Sequence, residues 1–440
     1  MANGAAHRSD RPLPAWFDDA KFGIFVHWTP ATIPAFAPLD PSPRWFASMG
    51  ESPYCEWYQN SLAIEGSPVH QHHREHYGDL PYDAFVDQFL AGLGGWDPEP
   101  WAELFASAGA RYVVLVTKHH DGVALWPSAH RNPFKAGWQS ERDIVGELAS
   151  AVRARGMRFG TYYSGGLDWT FGGLPMTDLR SLIAAIPQSP EYVAYAEAHW
   201  RELIERYEPC VLWNDIGYPA AADLGALFEH YYARVPDGVV NNRFDFLAQT
   251  NGATHTDFLT PEYSTDADPS GRKWESTRGI GTSFGYNRAE PEESYLSVDA
   301  LVRMLVDVVA HGGNLLLNVG PAADGTIPLV QAERVLGLGW WLRTNGDAIF
   351  GTRPWVPNEG TTGDGLPVRY TAKGDAVFAI VLGTPATSVL SLPDVSPGDG
   401  CRTHLLGHTA PLEWRRHGSG IDVILPSRPP TGPAIALRFS

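Results

Sequence analysis

From residue 22 onward the chain alternates short apolar or β-branched runs with longer stretches of helical period, the pattern that βα units produce. The runs at 21–28 (KFGIFVHW), 111–118 (RYVVLVTK), 158–164 (RFGTYYS), 210–215 (CVLWND), 238–243 (GVVNNR) and 314–320 (NLLLNVG) are predicted as strands. Between them, 142–156, 191–209 and 297–313 space their apolar residues for one face of a helix and end near Gly or Pro. Units of this kind in series suggest a (β/α)8-type barrel. A doubly wound open sheet would share the local pattern, but no Gly-rich nucleotide loop supports it.

Polar residues gather at the C-terminal ends of these strands: His27, Lys118 to His120, Tyr163 and Ser164, Asn214 and Asp215, Asn242 and Arg243. Solvent at a strand end accounts for one or two such positions, whereas a barrel enzyme places its chemistry at that rim throughout. After Gly346 the period changes. Short strand patterns at 368–372, 376–383, 388–393, 403–407, 412–417, 421–426 and 434–439 are separated by Gly, Pro and Asp turns, which predicts an antiparallel β-sandwich. The expected division is a catalytic barrel over residues 1–349 and a C-terminal sandwich over 350–440.

Composition narrows the function. Of 440 residues 44% are hydrophobic and 19% charged, with 16 Trp, 17 Tyr and 19 Phe, so the chain folds, and its many flat rings suit stacking on sugar faces. The net charge of −17 opposes phosphate backbones and anionic lipid, which argues against nucleic acid or a membrane surface as partner and for a neutral substrate. The N-terminal stretch lacks the apolar run of a secretory signal, and nothing approaches a membrane span. Cys55, Cys210 and Cys401 are too scattered for a disulfide framework or a metal-binding pair. A cytoplasmic location with reduced thiols is the expectation.

Candidate chemistry follows from individual side chains. Asp215 in WND places a carboxylate where a strand leaves the barrel, although an Asp there could equally cap the next turn. His119 and His120 in KHHDG could bind hydroxyls or a metal. Zinc catalysis, however, wants three convergent ligands, and no such spacing is present. The histidine-rich stretch at 70–77 is expected to be a polar connecting loop rather than a metal tract. Acetal hydrolysis would need a second carboxyl group to protonate the leaving oxygen. Glu56 in YCEWY, Glu262 in TPEY and Glu275 in KWE each have aromatic neighbours that could raise a carboxyl pKa, and sequence alone leaves the three level.

Several long stretches, in order, resemble glycoside hydrolase family 29, the α-L-fucosidases: 16–28 (WFDDAKFGIFVHW), 54–58 (YCEWY), 108–128, 160–169 (GTYYSGGLDW), 210–219 (CVLWNDIGYP), 273–288 and 312–328. The likeness covers nearly the whole chain and is nearest to the bacterial branch. It implies an exo-acting, retaining α-L-fucosidase that takes a small-molecule or oligosaccharide substrate with a terminal α-L-fucose, and the missing Cys pairs and three-ligand spacing add the expectation of no metal or other cofactor. It implies Asp215 as nucleophile and Glu262 as general acid/base, with Glu275 and Glu56 as the alternatives for the second role. His27, His119, His120, Tyr162 and Trp213 would bind the fucose hydroxyls or line the pocket, and Glu56 and Trp57 would contact the sugar. Phe284 would face the C6 methyl, and Arg243 would be a further site residue. Two other functions fit the same scaffold: a non-catalytic fucose-binding protein, and a retaining exo-glycosidase for a related sugar such as galactose. The oligomeric state is left open.

Overall fold

The computed structural model describes residues 11–39, 48–245, 255–265, 271–426 and 431–440. Seven parallel strands form its central sheet: β1 (Phe22–Val26), β2 (Tyr112–Lys118), β3 (Arg158–Tyr163), β4 (Val211–Asn214), β5 (Val239–Val240), β6 (Glu275–Gly279) and β7 (Asn314–Val319). Their spatial order, β5-β4-β3-β2-β1-β7-β6, runs round in sequence without the reversal that defines a doubly wound sheet. Most of their residues are fully buried, as strands flanked on both faces must be.

The gap between β5 and β6 is bridged by residues 257–263 through isolated pairings. Asp257 N donates to Val240 O, Leu259 N to Lys273 O, Glu275 N to Leu259 O and Thr277 N to Pro261 O. This stretch stands where an eighth strand would, so the sheet curls into a barrel.

Helices cover the barrel as their patterns require. Ile144–Ala154, Pro190–Tyr207 and Val298–Ala310 are capped by Asp143, Ser189 and Ser297, whose side-chain oxygens accept from the first-turn N–H groups. Each buries an apolar face, for example Leu301, Leu305 and Val309, in the common core. Inside the barrel a Cβ on Gly23 would lie 2.5 Å from the Tyr112 ring, so a side chain at 23 would displace that tyrosine.

Three sequence expectations need correction. The run at 238–243 keeps only Val239–Val240 as strand and turns at Asn242–Asp245. The polar β6 was not anticipated. The expected histidine loop is instead the helix Pro68–Tyr77, started by Ser67 accepting from His70 N and by Pro68 at the first helical position. In it, His73 is spent between the Tyr58 hydroxyl and Leu80 O, and His72 stacks on Phe36.

The C-terminal region forms two antiparallel sheets. Arg353–Thr361, Pro367–Lys373, Ala376–Val381, Thr403–Leu405, Pro411–Leu412 and Ile435–Phe439 make the larger, and Val389–Leu392, Trp414–His417 and Gly420–Ile424 the smaller. Val368, Leu390, Val423 and Leu437 fill the space between them. The outer face of the larger sheet, through Phe378 and Ile380, joins the barrel's own core. Among the described residues no helix is long and apolar enough to cross a membrane.

Candidate active site

The C-terminal ends of the strands converge on a cavity of about 460 Å³. Most of the site side chains come from the ends of these strands. His27 follows β1, His119 and His120 follow β2, Tyr162 lies near the end of β3, and Trp213 lies near the end of β4 with Asp215 just beyond it. Arg243 comes from the turn after β5, Glu262 from the bridging stretch and Phe284 from the loop after β6. Glu56 and Trp57 sit on the short turn Cys55–Trp57 in the long β1–β2 connection, which folds back over the rim. His27, Glu56, Trp57, His119, Tyr162, Trp213, Asp215, Arg243, Glu262 and Phe284 all line the cavity. His120 does not itself line the cavity, but its Nε2 comes within 3.8 Å of Oδ2 of Asp215, which does.

Asp215 is held on both oxygens. Oδ1 accepts from Arg243 Nη1 at 2.9 Å and from Ile216 N at 3.0 Å, and Oδ2 accepts from the Tyr162 hydroxyl at 2.9 Å. Burial raises its pKa, opposed by Arg243 and helped by the nearby Glu262. Glu262 is more open. Its Oε1 lies 2.6 Å from Arg243 Nη2 and its Oε2 accepts from the Tyr54 hydroxyl at 3.3 Å, while 28% of the side chain stays exposed. One guanidinium thus bridges both carboxylates. It is itself fixed by Nε donating to Thr260 Oγ1 at 2.9 Å and by stacking over the Trp213 ring at 4.7 Å.

The remaining wall is mostly aromatic. Tyr162 stacks between His119 and Trp213. Phe284 packs near His27 and edge-on to Tyr54. Burial pushes the His27 pKa down to about 3, and holds those of His119 and His120 well below the usual imidazole value, with nearby positive groups adding to it. These rings are neutral at ordinary pH. Glu56 accepts from Gly285 N at 2.7 Å, and burial raises its pKa to about 7.

Glu275 is placed differently from the other two candidate acids. It is fully buried beneath the cavity, bonded to the Tyr112 hydroxyl and to Trp213 Nε1, and does not reach the cavity wall. Its partners are structural, and burial lifts its pKa to about 7.

Sequence reasoning missed Phe25, Tyr54, Leu182, Ile216, Thr260, Pro261, Tyr263 and Thr277, which complete the cavity. Tyr54, Thr260, Pro261 and Tyr263 were within reach, since they belong to the YCEWY and TPEY motifs already singled out. Leu182 carries no local signal. Asn318 was also missed, although an amide interrupting the apolar run of β7 after Leu317 was the clue. Among the described residues no group of three or more His, Cys, Asp or Glu is arranged to hold a metal ion.

A family model described as alpha-L-fucosidase matches residues 3–347, and one described as the alpha-L-fucosidase C-terminal domain matches residues 361–439. Human tissue alpha-L-fucosidase is 34% identical over 450 residues, which cover 98% of this chain and 88% of the human protein. Thermotoga maritima alpha-fucosidase, solved in complex with a mechanism based inhibitor, superposes with a TM-score of 0.88 at 43% identity, covering 98% of this chain and 97% of that one. The structure of the same enzyme with fucose gives 0.87 at 42%, covering 98% of each chain.

Proposed function

The chain belongs to the α-L-fucosidase family of glycoside hydrolases, and from that premise we propose that it removes terminal α-L-fucose by an exo-acting, retaining mechanism with Asp215 as nucleophile and Glu262 as general acid/base. The observation that carries this reading is the single guanidinium of Arg243 bridging the two carboxylates. Retaining enzymes hold their carboxyls about 5–5.5 Å apart, inverting ones about 6.5–9.5 Å, and one planar fork reaching both favours the shorter spacing. The fucose complex of the T. maritima enzyme supports a fucose-sized sugar in the corresponding cavity.

Asp215, positioned by Tyr162 and Arg243, attacks the anomeric carbon while Glu262 passes its proton to the departing oxygen. The bond to the aglycone breaks and a fucosyl ester forms on Asp215. Glu262, now a carboxylate, takes a proton from water as that water displaces Asp215, and the configuration is restored. The partial exposure of Glu262 suits a group that must meet both aglycone and water, and the fully buried Glu275 lacks it. The neutral histidines and Glu56 supply the hydroxyl contacts, and Phe284 an apolar surface for the methyl group.

Catalysis is assigned to residues 1–349, with 350–440 packing against them. The buried, unpaired thiols of Cys55 and Cys210 suit a reducing compartment such as the cytoplasm. The experiment is to follow hydrolysis of an aryl α-L-fucoside by proton NMR beside the matching α-galactoside. First-formed α-fucose is expected, with the galactoside far slower. First-formed β-fucose overturns retention, and no turnover of the fucoside overturns the activity.

A further inference from the structure

Two buried side chains outside the carboxylate machinery decide what the imidazoles can do. The hydroxyl of Ser164, at the end of β3, lies 2.6 Å from Leu167 O and 2.6 Å from His120 Nδ1. A carbonyl oxygen only accepts, so the hydroxyl proton goes to Leu167, and Ser164 Oγ receives the Nδ1–H of His120. Asn318 on β7 repeats the arrangement for His27. Its Nδ2 donates to Phe284 O at 2.6 Å, which turns its Oδ1 toward His27 Nδ1, also at 2.6 Å. An amide oxygen only accepts, so this imidazole too carries its proton on Nδ1. Ser164, Leu167 and Asn318 are at most 2% exposed, so water has little access to these relays.

We propose that Ser164 and Asn318 are positioning residues that lock His120 and His27 as Nδ1–H tautomers, so that His27 meets the substrate with an Nε2 lone pair, His120 presents one beside the cavity-lining Asp215, and both select sugar hydroxyls that donate. Resting on the fucosidase reading for the identity of the sugar, this extends that reading to the direction of its hydrogen bonds. His120 Nε2 and Asp215 Oδ2 are then two acceptors facing one another at 3.8 Å. Neither can satisfy the other, and a donor hydroxyl placed beside the attacking carboxylate relieves both. With the opposite tautomer, Nε2–H would instead donate to Asp215 and draw off charge the nucleophile needs. The low basicity of both rings keeps them in the neutral form on which tautomerism depends.

The tautomers are read directly by long-range proton–nitrogen correlation NMR on ligand-free enzyme labelled with ¹⁵N-histidine, the two rings being assigned from His27→Gln and His120→Gln spectra. A protonated Nδ1 and an unprotonated Nε2 are expected on both, and Nε2–H on either ring overturns the proposal for that ring. This measurement stands whether or not the enzyme acts on fucose. Kinetics supply the second arm, using aryl α-L-fucosides in which each hydroxyl in turn is replaced by fluorine, which cannot donate. At the position served by His120, fluorine should lower kcat/KM at least about 10-fold more in the native enzyme than in Ser164→Ala, where the tautomer is released. Comparing the two enzymes on one substrate cancels the inductive effect of fluorine on the transition state. Equal penalties at every position overturn the selection of donor hydroxyls. Asn318→Asp keeps an acceptor for His27 and should retain its Nδ1–H signal, and loss of that signal overturns the role given to Asn318.

Discussion

At the N-terminal floor of the barrel, Asp18 accepts from Lys273 at 2.7 Å and from Lys21 at 3.3 Å and pairs with Arg353, which also reaches Asp19. At the C-terminal rim, Asp215 and Glu262 share the single cation Arg243. The floor has more fixed cations around Asp18 than it needs, and burial brings Lys273 down to a pKa of about 7. The rim has the reverse, two carboxylates on one guanidinium, with one of them partly open to the cavity. A carboxylate with cations to spare is tied into the fold. Charges left short of partners wait for a substrate, and the difference lies in stoichiometry rather than in residue type.

Four substitutions test that contrast, beginning where the loss should be greatest. Asp215→Gly should lower kcat on aryl α-fucosides by about 10⁴-fold or more, measured at saturating substrate, and added azide should yield β-fucosyl azide by direct displacement. Near-normal turnover would remove Asp215 from its role. Glu262→Ala should cost about 10²–10⁴-fold on unactivated fucosides and much less on activated aryl ones, with azide giving the α-azide. If the azide product is β, Glu262 is not the acid/base.

Glu275→Gln should leave kcat/KM within about tenfold of native, since its carboxylate does not face the cavity. Its effect should appear in stability. The folded pKa of about 7 lies above the ordinary 4.5, so the folded state binds more protons between those values, and this group's contribution is full below pH 4.5 and lost as pH rises through 7. Native enzyme should therefore lose up to about 3 kcal/mol between pH 4.5 and 8 that the Gln variant keeps, read from urea unfolding at both pH values. Loss of activity beyond 100-fold would return Glu275 to the acid/base role. The smallest change is expected from Arg353→Ala. Half-exposed and one of several cations at the floor, Arg353 should contribute no more than about 1 kcal/mol, with kcat/KM unaltered. A large kinetic effect would mean that floor and rim are coupled.

Much of the barrel was legible because its strands are buried on both faces and read as continuous apolar runs, as in VVLVT and NLLLNV. The strand β6 was not, since Glu275, Thr277 and Arg278 are polar, and the buried Glu275 is satisfied by distant partners, Tyr112 and Trp213, which no local window contains. The 257–263 stretch was missed for a related reason: a proline and single pairings leave no period to detect. At the site, side chains fixed by strand ends, such as His27, His119 and Asp215, could be located from the pattern alone, whereas Tyr162 came only from the family resemblance. Glu56, Glu262 and Glu275 could not be ranked, because an aromatic neighbour in sequence does not say whether a carboxyl faces a cavity or a hydroxyl beneath it. Ser164 was noted only as a polar strand end, since its hydrogen-bond direction depends on Leu167 O.

The stretch that carries Glu262 joins the barrel by isolated bridges, whereas β1, β2, β3 and β7 are zipped along continuous ladders. Fewer backbone bonds per residue mean a smaller free energy for local opening. On heating, the rim beside β6 should therefore come apart as a separate event below the temperature at which the ladders and the sandwich melt. The enzyme would then lose turnover reversibly while circular dichroism still reports a folded chain, and adding backbone pairing to 257–263 would raise the working temperature without moving the melting point.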